Sequence, residues 1–228
     1  MVYTLITANR NYSSWSLRPW LLMRALDIPF EDRIEPFAKP DNYDDFRTFS
    51  PTGQVPLLIH CERRIWDSLG IALYLADRHL GVWPEEDAEA RAWAQTVVAE
   101  MHGGFGALRG ECTMNVGVRV ALGPKSQALE RNIARVREIF EQSLERFGGP
   151  WLAGSQFTAA DAFYAPVAYR IRTYGLDVGR GAEWVERIIA HPAMQEWEAQ
   201  ALAETWREQS HEDELAAAGA ITADYRAV

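Results

Sequence analysis

The hydroxyl side chains between residues 11 and 18 are the first in this chain that could do chemistry. Ser13, Ser14 and Ser16 lie there, between a predicted strand and a predicted helix. The start of a helix presents unpaired N–H groups and a partial positive charge, so hydroxyl groups at this place suit an anion, including a thiolate carried by a ligand. Helix capping alone is the simpler interpretation, but one cap needs one serine, and Ser16 suffices for it. The other two hydroxyl groups are therefore candidates for ligand binding.

Two later segments could hold the rest of a peptide-like ligand. Residues 54–56 read Gln-Val-Pro, and a cis Val55–Pro56 bond would turn the backbone N–H and C=O of Val55 toward a ligand. Asp67 and Ser68 stand at the start of a predicted helix, where a carboxylate and a hydroxyl suit the ammonium and the carboxylate of a free α-amino acid group. The simpler alternatives are an ordinary turn proline and a pair of helix caps.

Composition excludes several functional classes. With 228 residues, of which 48% are hydrophobic and 24% charged, the chain is globular and has room for one large domain or two compact ones. Its net charge of −9 argues against nucleic acid and anionic lipid as partners. Cys61 and Cys112 form no Cys-x-x-Cys or Cys/His pattern, which argues against disulfides, a metal site and dithiol redox chemistry and favours a reducing cytoplasm. The sequence shows no leader pattern and no apolar run of about 18 residues, so we expect neither secretion nor membrane insertion.

The first part of the chain predicts a small α/β unit that would position these residues. Residues 2–7 predict a buried strand, and the following helix has Ser16 as its N-cap and Pro19 in its first turn. Residues 30–34 predict a second strand, parallel to the first because a helix connects the two. Residues 55–66 predict a hairpin. We therefore expect a sheet of about four strands, followed by the helix that Asp67 and Ser68 open.

Beyond Pro84 the hydrophobic pattern is helical throughout. It predicts helices over residues 85–109, 126–147, 159–174, 183–190 and 193–207, and a frayed or disordered tail from Ser210. The glycines between His102 and Gly106 interrupt the first of these helices, which predicts a kink or close packing, or alternatively a widened pocket. We predict an α/β domain at residues 1–81 and an all-helical domain at residues 85–228.

In their order, these segments resemble the glutathione transferase superfamily, specifically a bacterial-type glutathione transferase. The thioredoxin-like half of that family has a hydroxyl or cysteine turn after strand one, a cis proline before strand three and an acid–Ser pair before helix three. Residues 151–161 resemble the family's buried capping box, with Thr158 as N-cap and Asp161 as its partner, and we assign both to folding. The resemblance covers nearly the whole chain and implies an α/β thioredoxin-like N-terminal domain plus an all-α C-terminal helical bundle.

The same resemblance implies a set of site residues and partners. Glutathione would be the cosubstrate, no metal would be needed, and the protein would form a homodimer. The implied catalytic residues are Ser13 and Ser14, which would act as hydrogen-bond donors to the thiolate because a serine hydroxyl is not a base at neutral pH. The residues implied to bind glutathione are Trp15, Gln54, Val55, Pro56, Asp67 and Ser68.

The serine segment is further similar to the zeta class, whose motif is Ser-Ser-Cys-Ser-x-Arg, with Trp15 in place of the cysteine. By that resemblance Ser13 supports the thiolate, and Ser14 contacts glutathione or substitutes for Ser13. Zeta enzymes isomerise maleylacetoacetate or act on small halo-acids with the help of an arginine. Thr173 stands at the matching position, with Arg172 one residue earlier. A zeta-like glutathione-dependent isomerase and a non-catalytic glutathione-fold binding protein therefore stay open beside a transferase.

The second substrate is expected to be a small hydrophobic or acidic electrophile, bound between the two domains. Arg109, Tyr169 and Arg172 are candidate contacts for it. Cys61 follows a strand and does not open a helix, which predicts an inert, partly buried thiol and not a nucleophile.

Overall fold

The first half of the protein is built on a mixed β-sheet. A computed structural model describes residues 2–39 and 41–227. Within these residues the sheet consists of β1 (Tyr3–Thr7), β2 (Phe30–Ile34), β3 (Leu57–His60) and β4 (Arg63–Ile65), in the order β2-β1-β3-β4. Strand β1 pairs in parallel with β2 and antiparallel with β3, which continues into the hairpin with β4. The predicted parallel pair and hairpin are therefore confirmed.

Helix α1 (Ser14–Ala25) begins earlier than the sequence indicates. Ser13 and not Ser16 occupies the N-cap position, and Pro19 lies in the second turn and not in the first. The Ser16 hydroxyl accepts a hydrogen bond from the Ala8 N–H at 3.2 Å, so it ties the helix to the end of β1. The prediction that Ser16 caps the helix is wrong, because its hydroxyl group binds the backbone of the preceding loop and not the start of the helix. Two more helices, α2 (Tyr43–Arg47) and α3 (Ser68–Ala76), complete this half.

The second half is mainly helical. Its helices are α4 (Ala88–Gly103), α5 (Gly106–Glu111), α6 (Gln127–Phe147), α7 (Ala159–Tyr174), α8 (Ala182–Ala190), α9 (Pro192–Ala203) and α10 (Gln209–Ala218). Over the described ranges, none of the helices is both long and apolar enough to cross a membrane.

The helix predicted over residues 85–109 is in fact two helices. The chain leaves the helical conformation at Gly104 and adopts a left-handed one at Phe105, with a φ of 59°. A Cβ atom on Gly104 would lie 2.7 Å from the Glu100 carbonyl oxygen, so only glycine fits where α4 ends. The predicted kink is thus a complete break between α4 and α5.

An antiparallel pair of strands in the second half was not predicted. Strand β5 (Val118–Leu122) pairs with β6 (Gly219–Asp224), which directly follows α10. The predictions that no strand follows residue 84 and that the tail from Ser210 is frayed or disordered are therefore wrong. Each of these strands is short, and the two are about a hundred residues apart in sequence, so neither carries a clear local signal.

Helix α7 forms the centre of the second half. All of its residues except Arg172 are buried, and it packs against α1 and α4. The Thr158 hydroxyl accepts from the Ala160 N–H at 3.3 Å, and the Asp161 carboxylate accepts from the Thr158 N–H at 3.0 Å. This arrangement confirms the predicted capping box.

Candidate active site

One cavity of about 990 Å³ collects the residues that the sequence analysis selected from three separate segments. Its lining includes every implied catalytic and glutathione-binding residue: Ser13, Ser14, Trp15, Gln54, Val55, Pro56, Asp67 and Ser68. Arg109, Arg170 and several residues between Glu208 and Glu214 line the same cavity from the second half. Both halves of the protein therefore contribute to one site.

The two serines at the start of α1 differ in what their hydroxyl groups do. Ser13 Oγ donates a hydrogen bond to Ser16 Oγ at 2.7 Å, so its proton is engaged inside the protein. Ser14 Oγ accepts a hydrogen bond from Nη2 of Arg170 at 3.5 Å and makes no other within the described residues. Because a hydroxyl group can accept and donate at once, Ser14 keeps its own proton available for a ligand.

Arg170 is a site residue that the sequence analysis missed. Its side chain is buried in α7, and it also donates to the carbonyl groups of Cys112 at 2.8 Å and Pro166 at 3.3 Å. Burial lowers the pKa of Arg170 to about 10, which still leaves the side chain charged at neutral pH. The available signal was an arginine within an otherwise apolar helix, since a buried charge needs partners.

Two further arginines surround the Trp15 ring. The Arg18 guanidinium carbon lies 4.0 Å from the centre of that ring, and the Arg109 guanidinium carbon lies 5.2 Å from it. Arg18 is only 1% exposed. Burial, together with the positive charges of Arg170 and Arg109, lowers its pKa to about 9. Three cations thus act on the region around Ser14 and Trp15, and their field favours a bound anion.

The loop before β3 has the geometry that the resemblance implies. The Val55–Pro56 peptide bond is cis, and the Trp66–Asp67 bond is cis as well. The Ser50 hydroxyl donates to the Gln54 carbonyl at 2.7 Å, which holds the preceding turn. Pro56 is buried and Gln54 is exposed, and both line the cavity.

Asp67 and Ser68 meet the cavity at the start of α3. Asp67 Oδ1 accepts from the N–H groups of Leu69 at 2.9 Å and Gly70 at 3.2 Å, so this residue caps the helix as predicted. Its second oxygen, Oδ2, lies 3.1 Å from Nε2 of His102 in α4. Ser68 Oγ is buried and has no hydrogen-bond partner among the described residues. Helix capping therefore accounts for one oxygen of Asp67 but leaves the Ser68 hydroxyl unexplained.

Two of the candidate substrate contacts lie outside the cavity. Arg172 forms an ion pair with Glu198 at 2.8 Å, and the buried Tyr169 hydroxyl donates to the Met194 carbonyl at 3.1 Å. Thr173 donates to the Asn115 carbonyl at 2.7 Å and is buried too. Helix periodicity explains the positions of Tyr169 and Arg172, which lie one and two residues from Arg170 and therefore point to other sides of α7.

Neither cysteine lines the cavity. Cys61 lies in the turn between β3 and β4 and is exposed, so the expectation of a partly buried thiol is wrong. Cys112 is completely buried at the end of α5, and burial raises the pKa of its thiol to about 11. A thiol with such a pKa carries almost no thiolate at neutral pH and is a poor nucleophile.

We expect iodoacetamide to modify Cys61 in the native protein and to leave Cys112 unmodified, because only the thiolate reacts and Cys112 is both inaccessible and protonated. Mass spectrometry of tryptic peptides would measure both sites in one sample. In urea Cys112 should react as well. Rapid native modification of Cys112 would contradict the buried position.

Comparisons with known proteins match both parts of the chain. A family model described as "Glutathione S-transferase, N-terminal domain" matches residues 12–78, and another described as "Glutathione S-transferase, C-terminal domain" matches residues 126–199. Glutathione S-transferase 1 of Dianthus caryophyllus is 24% identical over 172 residues, which cover 72% of this chain and 76% of that protein. Glutathione S-transferase 3 of Zea mays is 27% identical over 168 residues, which cover 66% and 73%.

Solved structures show the same fold. A glutathione transferase homologue from Burkholderia, with bound glutathione, aligns with a TM-score of 0.67 at 21% identity and covers 88% of this chain and 98% of its own. Human glutathione S-transferase T1-1 in its apo form aligns with a TM-score of 0.64 at 22% identity, covering 95% and 99%.

Proposed function

Because this chain belongs to the glutathione S-transferase family, we propose that it binds glutathione in the cavity and activates its thiol for attack on a small electrophile. The strongest support is that the serine turn, the cis-proline loop and the Asp67–Ser68 pair line one cavity, although they are distant in sequence. Together they offer a hydroxyl donor, a backbone edge and a charged end, which match the thiol, the peptide and the free α-amino acid group of glutathione.

The γ-glutamyl end of glutathione fits the start of α3. Asp67 Oδ2 is not used in capping the helix and would accept from the ammonium group. The Ser68 hydroxyl, buried and without a partner among the described residues, would donate to the carboxylate. The backbone of Val55 would pair with the cysteinyl residue, and Trp15 and Gln54 would flank the peptide. These contacts would hold the thiol close to the serine turn, and holding reacting groups together in this way accelerates a reaction.

Hydrogen-bond donors and nearby positive charges would stabilise the thiolate of bound glutathione. A free thiol of this type has a pKa of about 8.5, and a helix start or nearby cations lower it. Ser14 donates from the first residue of α1, and Arg170 polarises its hydroxyl by donating to Oγ. Arg18 and Arg109 beside Trp15, together with Arg170 beside Ser14, add a favourable field. This combination stabilises S⁻ in the way that an oxyanion hole stabilises a developing alkoxide.

The alternatives have less support. The resemblance implies a substrate-binding arginine of a zeta-type isomerase at the position of Thr173, but neither Thr173 nor the neighbouring Arg172 lines the cavity. The arginines that do line it, Arg109 and Arg170, stand at other positions in the sequence. A purely binding protein has no need of a serine whose proton is available beside a buried arginine. We therefore prefer transfer of glutathione to an electrophile. The homodimer and the cytoplasmic location stay predictions. A glutathione-dependent screen over aryl halides, hydroperoxides, halo-acids and maleylacetone would identify the electrophile.

We expect Asp67→Asn to weaken glutathione binding about tenfold, because the amide keeps the helix cap but loses the charge that pairs with the ammonium group. Isothermal titration calorimetry measures the Kd directly. Asp87→Asn is a matched control, since Asp87 caps α4 with the same two backbone contacts but lies outside the cavity lining. Equal affinities for the two variants would contradict the binding role of Asp67, and absence of binding by the wild type would contradict the proposed function.

A further inference from the structure

A histidine and a glutamate of the C-terminal segment form a pair at the cavity. His211 lies in the first turn of α10, and its Nδ1 is 2.5 Å from Oε2 of Glu208. Glu208 is only 4% exposed and also accepts from the Ser210 hydroxyl at 2.6 Å. Burial opposes its ionisation, but hydrogen bonds from Ser210 and His211 lower the pKa of Glu208 to about 2. The carboxylate is therefore charged and fixed in position beside the imidazole.

The His211 ring stacks on two aromatic rings. It stacks on the Tyr12 ring, with 4.8 Å between centroids, and on the Phe37 ring, with 5.5 Å between centroids. Tyr12 directly precedes the two serines of the candidate site, and all of these residues line the cavity. The His211 side chain is 29% exposed. Its Nε2 makes no hydrogen bond in the described part of the chain, whereas Nδ1 is engaged by Glu208. In the neutral ring, Nε2 therefore carries an unused lone pair.

A proton leaves the thiol when the thiolate forms, and the serine turn contains no group that could accept it. A serine hydroxyl and the cations of Arg18, Arg109 and Arg170 cannot accept the thiol proton at neutral pH. His102 already contacts Asp67 through Nε2, and its Nδ1 is buried. Among side chains, an imidazole is the base best matched to neutral pH, whereas a carboxylate is a weak base there.

We propose that His211, positioned by Glu208, accepts the proton of the glutathione thiol and gives it up again when the thiolate has attacked the electrophile. The inference rests on the proposed glutathione binding. The S–H bond breaks, its electron pair stays on sulfur, and the proton binds Nε2 to give an imidazolium paired with Glu208. When the thiolate attacks, the new bond to sulfur forms as the leaving group departs with its bonding pair. A basic leaving group such as an alkoxide takes the proton from Nε2, whereas a halide departs as the anion and the proton passes from Nε2 to water.

Several other charged groups near the ring form ion pairs of their own. Glu212, on the same helix, accepts from the Tyr12 hydroxyl at 2.6 Å and forms an ion pair with Arg226 at 2.6 Å. Arg226 also forms an ion pair with Asp224 at 2.7 Å. Arg207, in the loop before α10, adds a further positive charge that attracts the Glu212 carboxylate. Glu214 and Asp41 line the cavity as well. Glu208 is the only described carboxylate that contacts the imidazole, so an imidazolium on His211 has its counter-charge in place.

Counting protons during glutathione binding tests this inference without any electrophile. Calorimetric titrations in buffers of different ionisation enthalpy give the protons released, and ultraviolet absorbance gives the thiolate formed. We expect the wild type to form thiolate and release almost no proton, because His211 retains it. In His211→Asn we expect either loss of the thiolate or release of about one proton per thiolate. S-methylglutathione, which has no thiol proton, should bind both proteins without this difference.

Two variants serve as controls for folding and for charge. His191→Asn replaces a histidine that caps α9 outside the cavity lining with another good capping residue, and it should behave as the wild type does. Glu208→Gln keeps an acceptor for His211 but removes the charge, so we expect a smaller thiolate fraction at neutral pH.

Three results would overturn the inference. The first is that the wild type and His211→Asn release the same number of protons per thiolate formed. The second is that the wild type releases the thiol proton to the buffer. The third is that the wild type binds glutathione but forms no thiolate. Failure of the wild type to bind glutathione at all is a different result, which removes the proposed function and the inference with it.

Discussion

Ser14→Ala is expected to lower kcat/KM for glutathione conjugation about 100- to 1,000-fold, the usual loss when a preorganised donor to a developing anion is removed. The reason is that Ser14 has a proton to offer, with its oxygen held by Arg170 at 3.5 Å. Glutathione affinity should change little, because the contacts proposed at α3 are untouched. Chlorodinitrobenzene is a suitable probe for the rate, and the ultraviolet absorbance of the bound thiolate reports the pKa directly.

Ser13→Ala is the matched control for this prediction. Its hydroxyl donates to Ser16 at 2.7 Å, so its removal should cost less than about tenfold in kcat/KM and leave the thiolate absorbance nearly unchanged. The zeta resemblance implies the opposite order, with Ser13 as the thiolate partner. A larger loss in Ser13→Ala than in Ser14→Ala would therefore reject our assignment and restore the one that the sequence implies.

Asp161→Ala is expected to destabilise the protein by about 3–5 kcal/mol, as is typical when one partner of a buried charged network is removed. The carboxylate is completely buried and accepts from the N–H groups of Leu152 at 2.9 Å and Thr158 at 3.0 Å. It also accepts from the indole N–H of Trp184 at 2.9 Å. All three donors would lose this partner, and urea denaturation followed by tryptophan fluorescence measures the change in free energy of unfolding.

The control for this prediction is Asp87→Ala at the exposed cap of α4, where we expect a loss of about 1 kcal/mol. A pH series adds a second check. Burial raises the pKa of Asp161 from 3.8 to about 6, so the folded state binds this proton more tightly than the unfolded state does. The stability that Asp161 contributes should therefore fall as pH rises between these two values. Equal losses in the exposed and the buried variants would contradict the network.

Much of the fold could be predicted because its signals are local. The strand at residues 30–34, the caps at Asp67 and Thr158, and the apolar helix α7 all depend on residues within one or two turns of each other. The glycines after His102 indicated a disturbance, but a pattern of apolar spacing could not tell a kink from the complete break at Phe105. That break depends on the fit of α4 and α5 to the rest of the protein.

The site was predicted in part, for the same reason. The serine turn, the cis-proline loop and the Asp67–Ser68 pair can each be recognised in the sequence as a short motif at the start or end of an element. Arg170 and His211 do not, because each matters through a partner that is far away in sequence: Ser14 for Arg170, and Tyr12 for His211. The tail that carries His211 was expected to be frayed or disordered, yet α10 and β6 order it against β5 and Tyr12.

The sequence by itself determined which residue types were available for chemistry and on which elements they would lie, because caps, turns and hydrophobic periods are set by near neighbours. Only the tertiary structure decided that Ser14 and not Ser13 has a proton to offer, that Arg170 and not Arg172 faces the cavity, and that His211 joins the site. The place of Arg170 follows from the packing of α7 against α1, and that of His211 from the contacts of the C-terminal segment with Tyr12. Contacts across such sequence distances leave no trace in local spacing.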